Sequence, residues 1–379
     1  MLRLASFWTP VVLAVILCRR TADLVSGSSA EPVHILFSTN CTKQNDWMSE
    51  ALFYTHYKSN TSGTITRILS CSKKNYDAPQ LWHPRASIHA TPEYKSQVLP
   101  DGTKDDFWDF NKPLGVSDWL QNGGKNLDPD AVVVIMEPDM LIGLPLELAF
   151  KTEEGHTVVG RGKPAAQAQL MGHHWFYLME CSGMLREECG DNCKDKTEDD
   201  MRRHYMIGPP YALTKADLEA LAPLWAKYTR RVRQASRVEA ARRMYWVYGY
   251  VLAAMHLGLR HAVTSSLVVA HGGAGGGEAW HMVDGLDPVQ LSRAHGIMGG
   301  LYQPALPRDG FTVPILQYHE AYRANGSAFS RDARGGAPMG RASCEPLPPY
   351  PYDDAALLRQ QREGDPAVPK SRDGDGEDL

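Results

Sequence analysis

The chain has 379 residues, 43% of them hydrophobic and 22% charged, with a formal net charge of −4. Such a composition supports one large α/β domain or several smaller ones around a real core. It offers no polybasic face for nucleic acid, and no 20–50-residue period that would mark a solenoid or a propeller.

Leu4 to Cys18 is an apolar run broken by Ser6, Thr9 and Pro10, preceded by Arg3 and followed by Arg19-Arg20. Its length suits the apolar part of a signal peptide and is short for a membrane span. The arginine pair behind it weakens the usual charge bias and leaves a short signal anchor open; the anchor is the favoured reading, because short spans occur in the thinner early secretory membranes. Both readings send the body of the protein to a lumenal or extracellular compartment, with membrane contact through this segment if it is not cleaved. Residues 1–30 are therefore set apart as the targeting segment, 31–352 as the folded domain, and 353–379 as a polar tail expected to be disordered.

Six cysteines remain beyond Cys18: Cys41, Cys71, Cys181, Cys189, Cys193 and Cys344. An even number in an oxidising compartment predicts three disulfides, among fifteen possible pairings. Zinc at Cys181, Cys189 and Cys193 is disfavoured, since no CxxC pair is present. Three Asn-x-Ser/Thr sequons, at Asn40, Asn60 and Asn325, are compatible with glycosylation.

The folded part opens with a strand at His34–Thr39, a helix from Asp46 to Tyr57 and a second strand at Ile65–Ser70. This β-α-β start is that of a nucleotide-binding half-sheet, although neither GxGxxG nor a P-loop is present. Cys41 and Cys71 follow the ends of these two neighbouring strands and are the preferred disulfide pair. Ser72 to Lys104 reads as an irregular connection. A helix is predicted over Leu114–Gln121, with Asn111-Lys112-Pro113 before it; a Pro-initiated helix start explains that triplet without any ligand.

Val132 to Met136 is a short, continuously apolar run, the pattern of a strand buried on both faces. It meets Glu137-Pro138-Asp139 and turns apolar again at once. Two carboxylates at such a strand end are costly to bury without a cation or donors. The carboxyl end of a strand is also where open α/β sheets bind ligands. Oxygen ligands two residues apart suit Mg²⁺ or Mn²⁺ carrying a diphosphate; an acidic turn without metal is the alternative.

Farther on, His173-His174 lacks identifiable partner ligands, and Glu187–Arg203 reads as a charged surface excursion tied by disulfides. Thr214 should cap a helix Lys215–Tyr228. A second helix, Val238–Leu257, carries Tyr245, Trp246, Tyr248 and Tyr250, mostly as core. Gly272–Gly277 is read as a loop, and Val313–Tyr318 as the last strand.

Several stretches, in order, resemble the peptidyl hydroxyproline O-arabinosyltransferases and peptidyl serine galactosyltransferases of plants and green algae. They are HILFSTNC (34–41), TRILSC (66–71), NKPLGVSDWL (111–120), VVVIMEPDM (132–140), PYALTKADLEALAPLW (210–225), YGYVLAAMHLGLRH (248–261) and the segment around YHEAY (318–322). The resemblance implies a Golgi or endoplasmic reticulum glycosyltransferase with a GT-A-like fold: a mixed, mostly parallel sheet flanked by helices. It implies a UDP-sugar donor, arabinofuranose or galactose, with Mn²⁺ or Mg²⁺, and a hydroxyproline or serine hydroxyl of secreted Pro-rich polypeptides as acceptor. Asn111 and Lys112 then lie near the donor sugar, and Glu137 and Asp139 form the metal and nucleotide-sugar motif. Two positions depart from the family pattern. Trp246 stands where a Glu is usual, and Gln317-Tyr318-His319 replaces a His-Tyr strand. Positions 317 and 319 share a strand face, so His319 is the expected third metal ligand. The departures also admit a secreted sugar- or glycoprotein-binding protein that has lost turnover.

Overall fold

The computed structural model of the chain describes residues 33–72, 76, 81–98, 102–146, 149–152, 155–168, 189–194, 196–235, 244–264, 267–269, 314–318, 322–324 and 327–329. His319, His173-His174, Gly272–Gly277, the targeting segment and the tail lie outside these residues. Among them, no helix is long and apolar enough to cross a membrane.

Strand β1 (Val33–Asn40) is followed by helix α1 (Lys43–Lys58), then β2 (Gly63–Ser70) and β3 (Ala86–Thr91). The hairpin β4 (Ser96–Val98) and β5 (Lys104–Asp106) precedes α2 (Asn111–Asn122). Next come β6 (Val132–Met136), β7 (Met140–Ile142), the hairpin β8 (Ala149–Thr152) and β9 (Gly155–Val158), and β10 (Ala165–Ala168). Two short helices, α3 (Asp191–Lys194) and α4 (Glu198–His204), lead to β11 (Ile207–Thr214) and the long helices α5 (Lys215–Ala235) and α6 (Tyr245–His256). Strands β12 (Ala262–Thr264), β13 (Val268–Val269), β14 (Ile315–Gln317) and the hairpin β15 (Tyr322–Ala324) and β16 (Ser327–Phe329) complete the described elements.

Seven strands form the main sheet in the order β12-β10-β11-β6-β1-β2-β3. Only β11 runs against its neighbours, so the sheet is mixed and mostly parallel, as the sequence predicted. Alternation along the strands divides the core into two layers. Leu36, Ile68, Val133, Ile135, Tyr211 and Leu213 face α2, α5 and α6. Ile35, Phe37, Ile65, Val134 and Met136 face Leu52 and Phe53 of α1 and a second sheet, β13-β14-β7. Both faces are covered, which is why β6 carries no polar residue.

Helix α1 starts earlier than periodicity suggested because the Thr42 hydroxyl accepts from Asn45 N at 3.2 Å and caps it. Thr214 caps α5 as predicted, accepting from Asp217 N at 3.2 Å, and that helix continues past Tyr228 to Ala235. Helix α6 begins at Tyr245; residues 236–243 of its predicted span lie outside the description. Gly249 lets α5 and α6 touch, since a Cβ there would strike the Thr229 hydroxyl and backbone.

Two sequence readings change. The connection after Ser72 contains β3, a paired edge strand whose apolar and polar residues do not follow its exposure, with Ser87 and Ala90 exposed and Thr91 buried. The segment around Cys189 is not merely a surface excursion: Cys189 and Cys193 are bonded to each other and buried in the α6 layer. The Cys41–Cys71 disulfide is present as expected.

Burial holds His56 and His261 neutral inside the fold, and His83 is the partner of His56. His83 Nδ1 accepts from Arg85 N at 3.1 Å, so its Nε2–H donates to His56 Nδ1, 2.7 Å away. Burial, then the neighbouring His83 and Arg85, lowers His56 to about 3; burial does the same to His261. Unfolding lets such a group take up a proton, so its contribution is complete above pH 6.5 and is lost as pH falls from there toward 3. The loss is about 1.4 kcal/mol per pH unit per histidine. Glu137, pushed up to about 7, acts in the opposite sense between pH 7 and 4.5, so a difference measurement is needed. Urea midpoints of the parent and His56→Gln between pH 6.5 and 4.5 should show a slope shallower by about one proton in the variant; equal slopes would contradict this.

Candidate active site

From β1 the chain steps outward through β2 and β3, then returns to the other side of β1 as β6. Where such an order reverses, the carboxyl ends of the two central strands diverge and leave a crevice. Phe37 pairs with Met136, so Thr39-Asn40 and Glu137-Pro138-Asp139 border it together.

The two carboxylates go to different layers. Glu137 continues the alternation of Val133 and Ile135 and meets α2, where Lys112 Nζ lies 2.5 Å from its Oε2. The same ammonium sits 3.6 Å from the centroid of the Trp246 ring on α6. Lys112 is thus held between a carboxylate and an aromatic face, with its side chain 16% and that of Glu137 14% exposed. Burial pushes Glu137 up to about 7; the Lys112 charge opposes the shift, and Asp139 and Asp109 add to it. Trp246 is fixed in turn. Trp225 Nε1 donates to its carbonyl at 2.7 Å, and Tyr211 stands edge-on to its ring.

Asp139 points the other way. It is 2% exposed, in a tight turn closed by Met140 N donating to Glu137 O at 3.2 Å. Gln317 Nε2 donates to its Oδ1 at 3.2 Å, and Tyr318 N to its carbonyl at 3.0 Å. Gln317 pairs with Met140 across β14 and β7, and Tyr318 stacks on Trp47 of α1. The last described strand of this sheet, β14, therefore reaches the acidic turn. His319 follows two residues after Gln317 and lies outside the described residues.

Asn111 precedes Lys112 at the start of α2. It is buried, and its Oδ1 accepts from Tyr94 N at 2.7 Å, holding the connection before α2. Tyr94 OH donates to Asp118 Oδ2 at 2.8 Å, which fastens the same loop again. Of the Asn-Lys pair, Lys112 is the one in contact with the acidic motif.

Sequence reasoning missed two contributors. Arg67, on β2, is 1% exposed and ties the ends of β1 and α1. Its Nε donates to Thr39 Oγ1 at 2.7 Å, and its Nη2 to Asp46 Oδ1 at 2.9 Å and Asn40 O at 3.4 Å. Tyr76 OH donates to the same Asp46 oxygen. A lone arginine inside the apolar run ITRILS was the available signal. Tyr211, on β11, stacks on Tyr250 with ring centroids 3.7 Å apart. Its buried hydroxyl has no hydrogen-bond partner among the described residues; nothing in the local sequence marks it.

Among the described residues no three His, Cys, Asp or Glu side chains converge as a metal site. Asp139 and the Gln317 carboxamide offer hard oxygens suited to Mg²⁺ or Mn²⁺. Glu137 is paired with Lys112, so it would join them as a ligand only on giving up that ammonium.

The Lys112–Glu137 pair generates a direct test. Lys112→Met leaves a buried carboxylate without its cation and should cost about 3 kcal/mol in urea unfolding. Glu137→Gln should cost less, because the ammonium keeps the Trp246 face. The double variant should be more stable than the summed single effects by about 1 kcal/mol or more; additivity would show that the pair is not coupled.

Residues 33–263, more than half of the chain, match the profile of the hydroxyproline O-arabinosyltransferase family N-terminal domain. A peptidyl serine alpha-galactosyltransferase of Arabidopsis thaliana is 29% identical over 279 residues, covering 69% of this chain and 30% of the relative. The chain thus spans under a third of that relative's length. Two solved glycosyltransferases resemble it distantly in shape. The WbbM bifunctional enzyme has a TM-score of 0.36 and 10% identity over 78% of this chain and 47% of its own. The galactosyltransferase LgtC, in complex with donor and acceptor sugar analogues, has a TM-score of 0.36 and 8% identity over 76% and 87%. By the extent of the profile match, which contains Lys112, Glu137, Asp139 and Trp246, the chain belongs to the hydroxyproline O-arabinosyltransferase family.

Proposed function

We propose that this chain is a glycosyltransferase with a GT-A-like fold, moving arabinofuranose or galactose from UDP to a hydroxyproline or serine hydroxyl of secreted, Pro-rich polypeptides. The observation that carries this reading is the Lys112–Glu137–Trp246 contact beside Asp139, at the reversal of strand order and within the family segment. Glu137, Asp139 and His319 would hold Mn²⁺ or Mg²⁺, which supplies charge neutralisation for the departing UDP.

The chain's own groups do the rest. Lys112, released from Glu137 when the donor arrives, turns its ammonium to the diphosphate. Trp246 keeps that ammonium desolvated and aimed. Asn111 and Arg67 hold the loops bordering the crevice, so that donor and acceptor meet in a fixed geometry. The proposed residence is the Golgi or endoplasmic reticulum lumen, with the N-terminal segment as a single-pass anchor if uncleaved; the Cys41–Cys71 disulfide supports an oxidising compartment.

A second reading, a non-catalytic sugar- or glycoprotein-binding member of the same fold, is favoured by Gln317, whose carboxamide occupies an oxygen of Asp139. A panel of UDP-sugars assayed for Mn²⁺-dependent hydrolysis, and for transfer to hydroxyproline and serine peptides, separates the two. Turnover with one donor supports the enzyme, and binding without turnover supports the second reading.

Asp139→Asn keeps the shape of the turn and removes a ligand charge. It should lower the rate by roughly 30- to 1000-fold, the cost of about 2–4 kcal/mol for one such contact. The variant should melt near the parent without ligand and lose the extra stability given by UDP and Mn²⁺. Equal ligand stabilisation in parent and variant would remove Asp139 from the site.

A further inference from the structure

We propose that Asn60 carries an N-linked glycan whose first sugar ring lies over Tyr57 and Trp82. The proposal rests on the secretory residence argued above and goes beyond the transferase reading. Of the three sequons, Asn325 lies outside the described residues, and the other two differ sharply in their surroundings.

Asn40 is occupied. Its side-chain oxygen accepts from Asn45 Nδ2, and its carbonyl accepts from Asn45 and from buried Arg67. The next residue, Cys41, is bonded to Cys71, and the sequon hydroxyl of Thr42 caps α1. A glycan on Asn40 Nδ2 would have to leave from between two buried neighbours, Thr39 and Cys41, at the packed end of β1. Asn60 is free of such demands. It is exposed in the turn between α1 and β2, and its carboxamide makes no hydrogen bond among the described residues. Its backbone has φ 54°, a left-handed conformation that asparagine tolerates and that turns the chain outward.

The second observation is independent of the sequon. Tyr57 and Trp82 are 49% and 48% exposed, and their rings touch edge to face with centroids 5.7 Å apart. The indole is held by Trp82 Nε1 donating to Glu50 Oε2 at 2.7 Å and by stacking on His83, so its exposed part presents a fixed surface. This pair adjoins the Asn60 turn. Asn60 N donates to Tyr57 O at 3.3 Å, and Arg85 joins the two loops by donating to Thr61 O at 2.7 Å and to His83 Nδ1. Exposed aromatic faces are electron-rich, and the axial C–H groups of a pyranose are the complementary partner.

In the modification, Asn60 Nδ2 attacks the anomeric carbon of the first N-acetylglucosamine of an oligosaccharide carried on a polyisoprenyl diphosphate. The new C–N bond replaces the C–O bond to the diphosphate, which leaves with the lipid, and the amide proton passes to a base of the transferring enzyme.

The full chain, expressed through the secretory pathway of a eukaryotic host and purified from its membrane and lumenal fraction, should yield a glycosylated Asn60 peptide and an unmodified Asn40 peptide in proteolytic mass mapping with and without glycosidase. An unmodified Asn60 with the Cys41–Cys71 bond formed overturns the proposal and leaves secretory residence standing; an unmodified Asn60 with free thiols overturns both. Modified Asn40 also overturns the assignment. For ring coverage, Asn60→Gln should lower Tm by about 2 °C in the parent and by distinctly less in a Trp82→Ala background. Equal shifts would show that the sugar does not rest on the indole.

Discussion

The arrangement depends on one electrostatic demand. Strand β6 is buried on both faces, and Glu137 leaves its end still enclosed, so the carboxylate must find a positive partner or give up its charge. Lys112 answers from α2, and the Trp246 face on α6 supports the ammonium from the other side. The single contact therefore joins the sheet to two helices of the same layer. Asp139, two residues on, is claimed by the opposite layer through β14. The acidic turn is thus the point where the two cores meet, with its carboxylates pulled apart across the strand end.

That division bears on the chemistry. A cation held by Glu137 as well as Asp139 would have to compete with Lys112, so the proposed donor binding would be coupled to release of the ammonium. Trp246 changes the balance further. A carboxylate at that position, as the family resemblance led one to expect, would add a negative charge beside Lys112 and hold it more firmly. An aromatic face attracts the same ammonium more weakly and leaves the site one charge more positive.

Much of this was legible in the sequence because local patterns encode it. The apolar run 132–136, the abrupt carboxylates after it, and the Cys41–Cys71 neighbours all follow from strand burial and strand adjacency. What local patterns cannot encode is pairing across the fold. Lys112 lies 25 residues from Glu137 in the chain, and Trp246 read as ordinary core, which it also is. The contact between Tyr94 N and the buried Asn111 carboxamide oxygen spans 17 residues and leaves no local signal either. Strand β3 escaped notice because an edge strand with Ser, His and Thr shows no apolar alternation, and Arg67 because its partners come from β1 and α1.

The central claim is that a nucleotide sugar binds at the carboxyl ends of β1 and β6. Amide hydrogen exchange of the full chain, with and without UDP and Mn²⁺, tests it most directly. The account predicts slowed exchange at residues 38–42, 109–113 and 137–142, with β3 and β12 at the sheet edges unchanged. Protection confined to other surfaces, with 137–142 unaffected under saturating UDP, would contradict it.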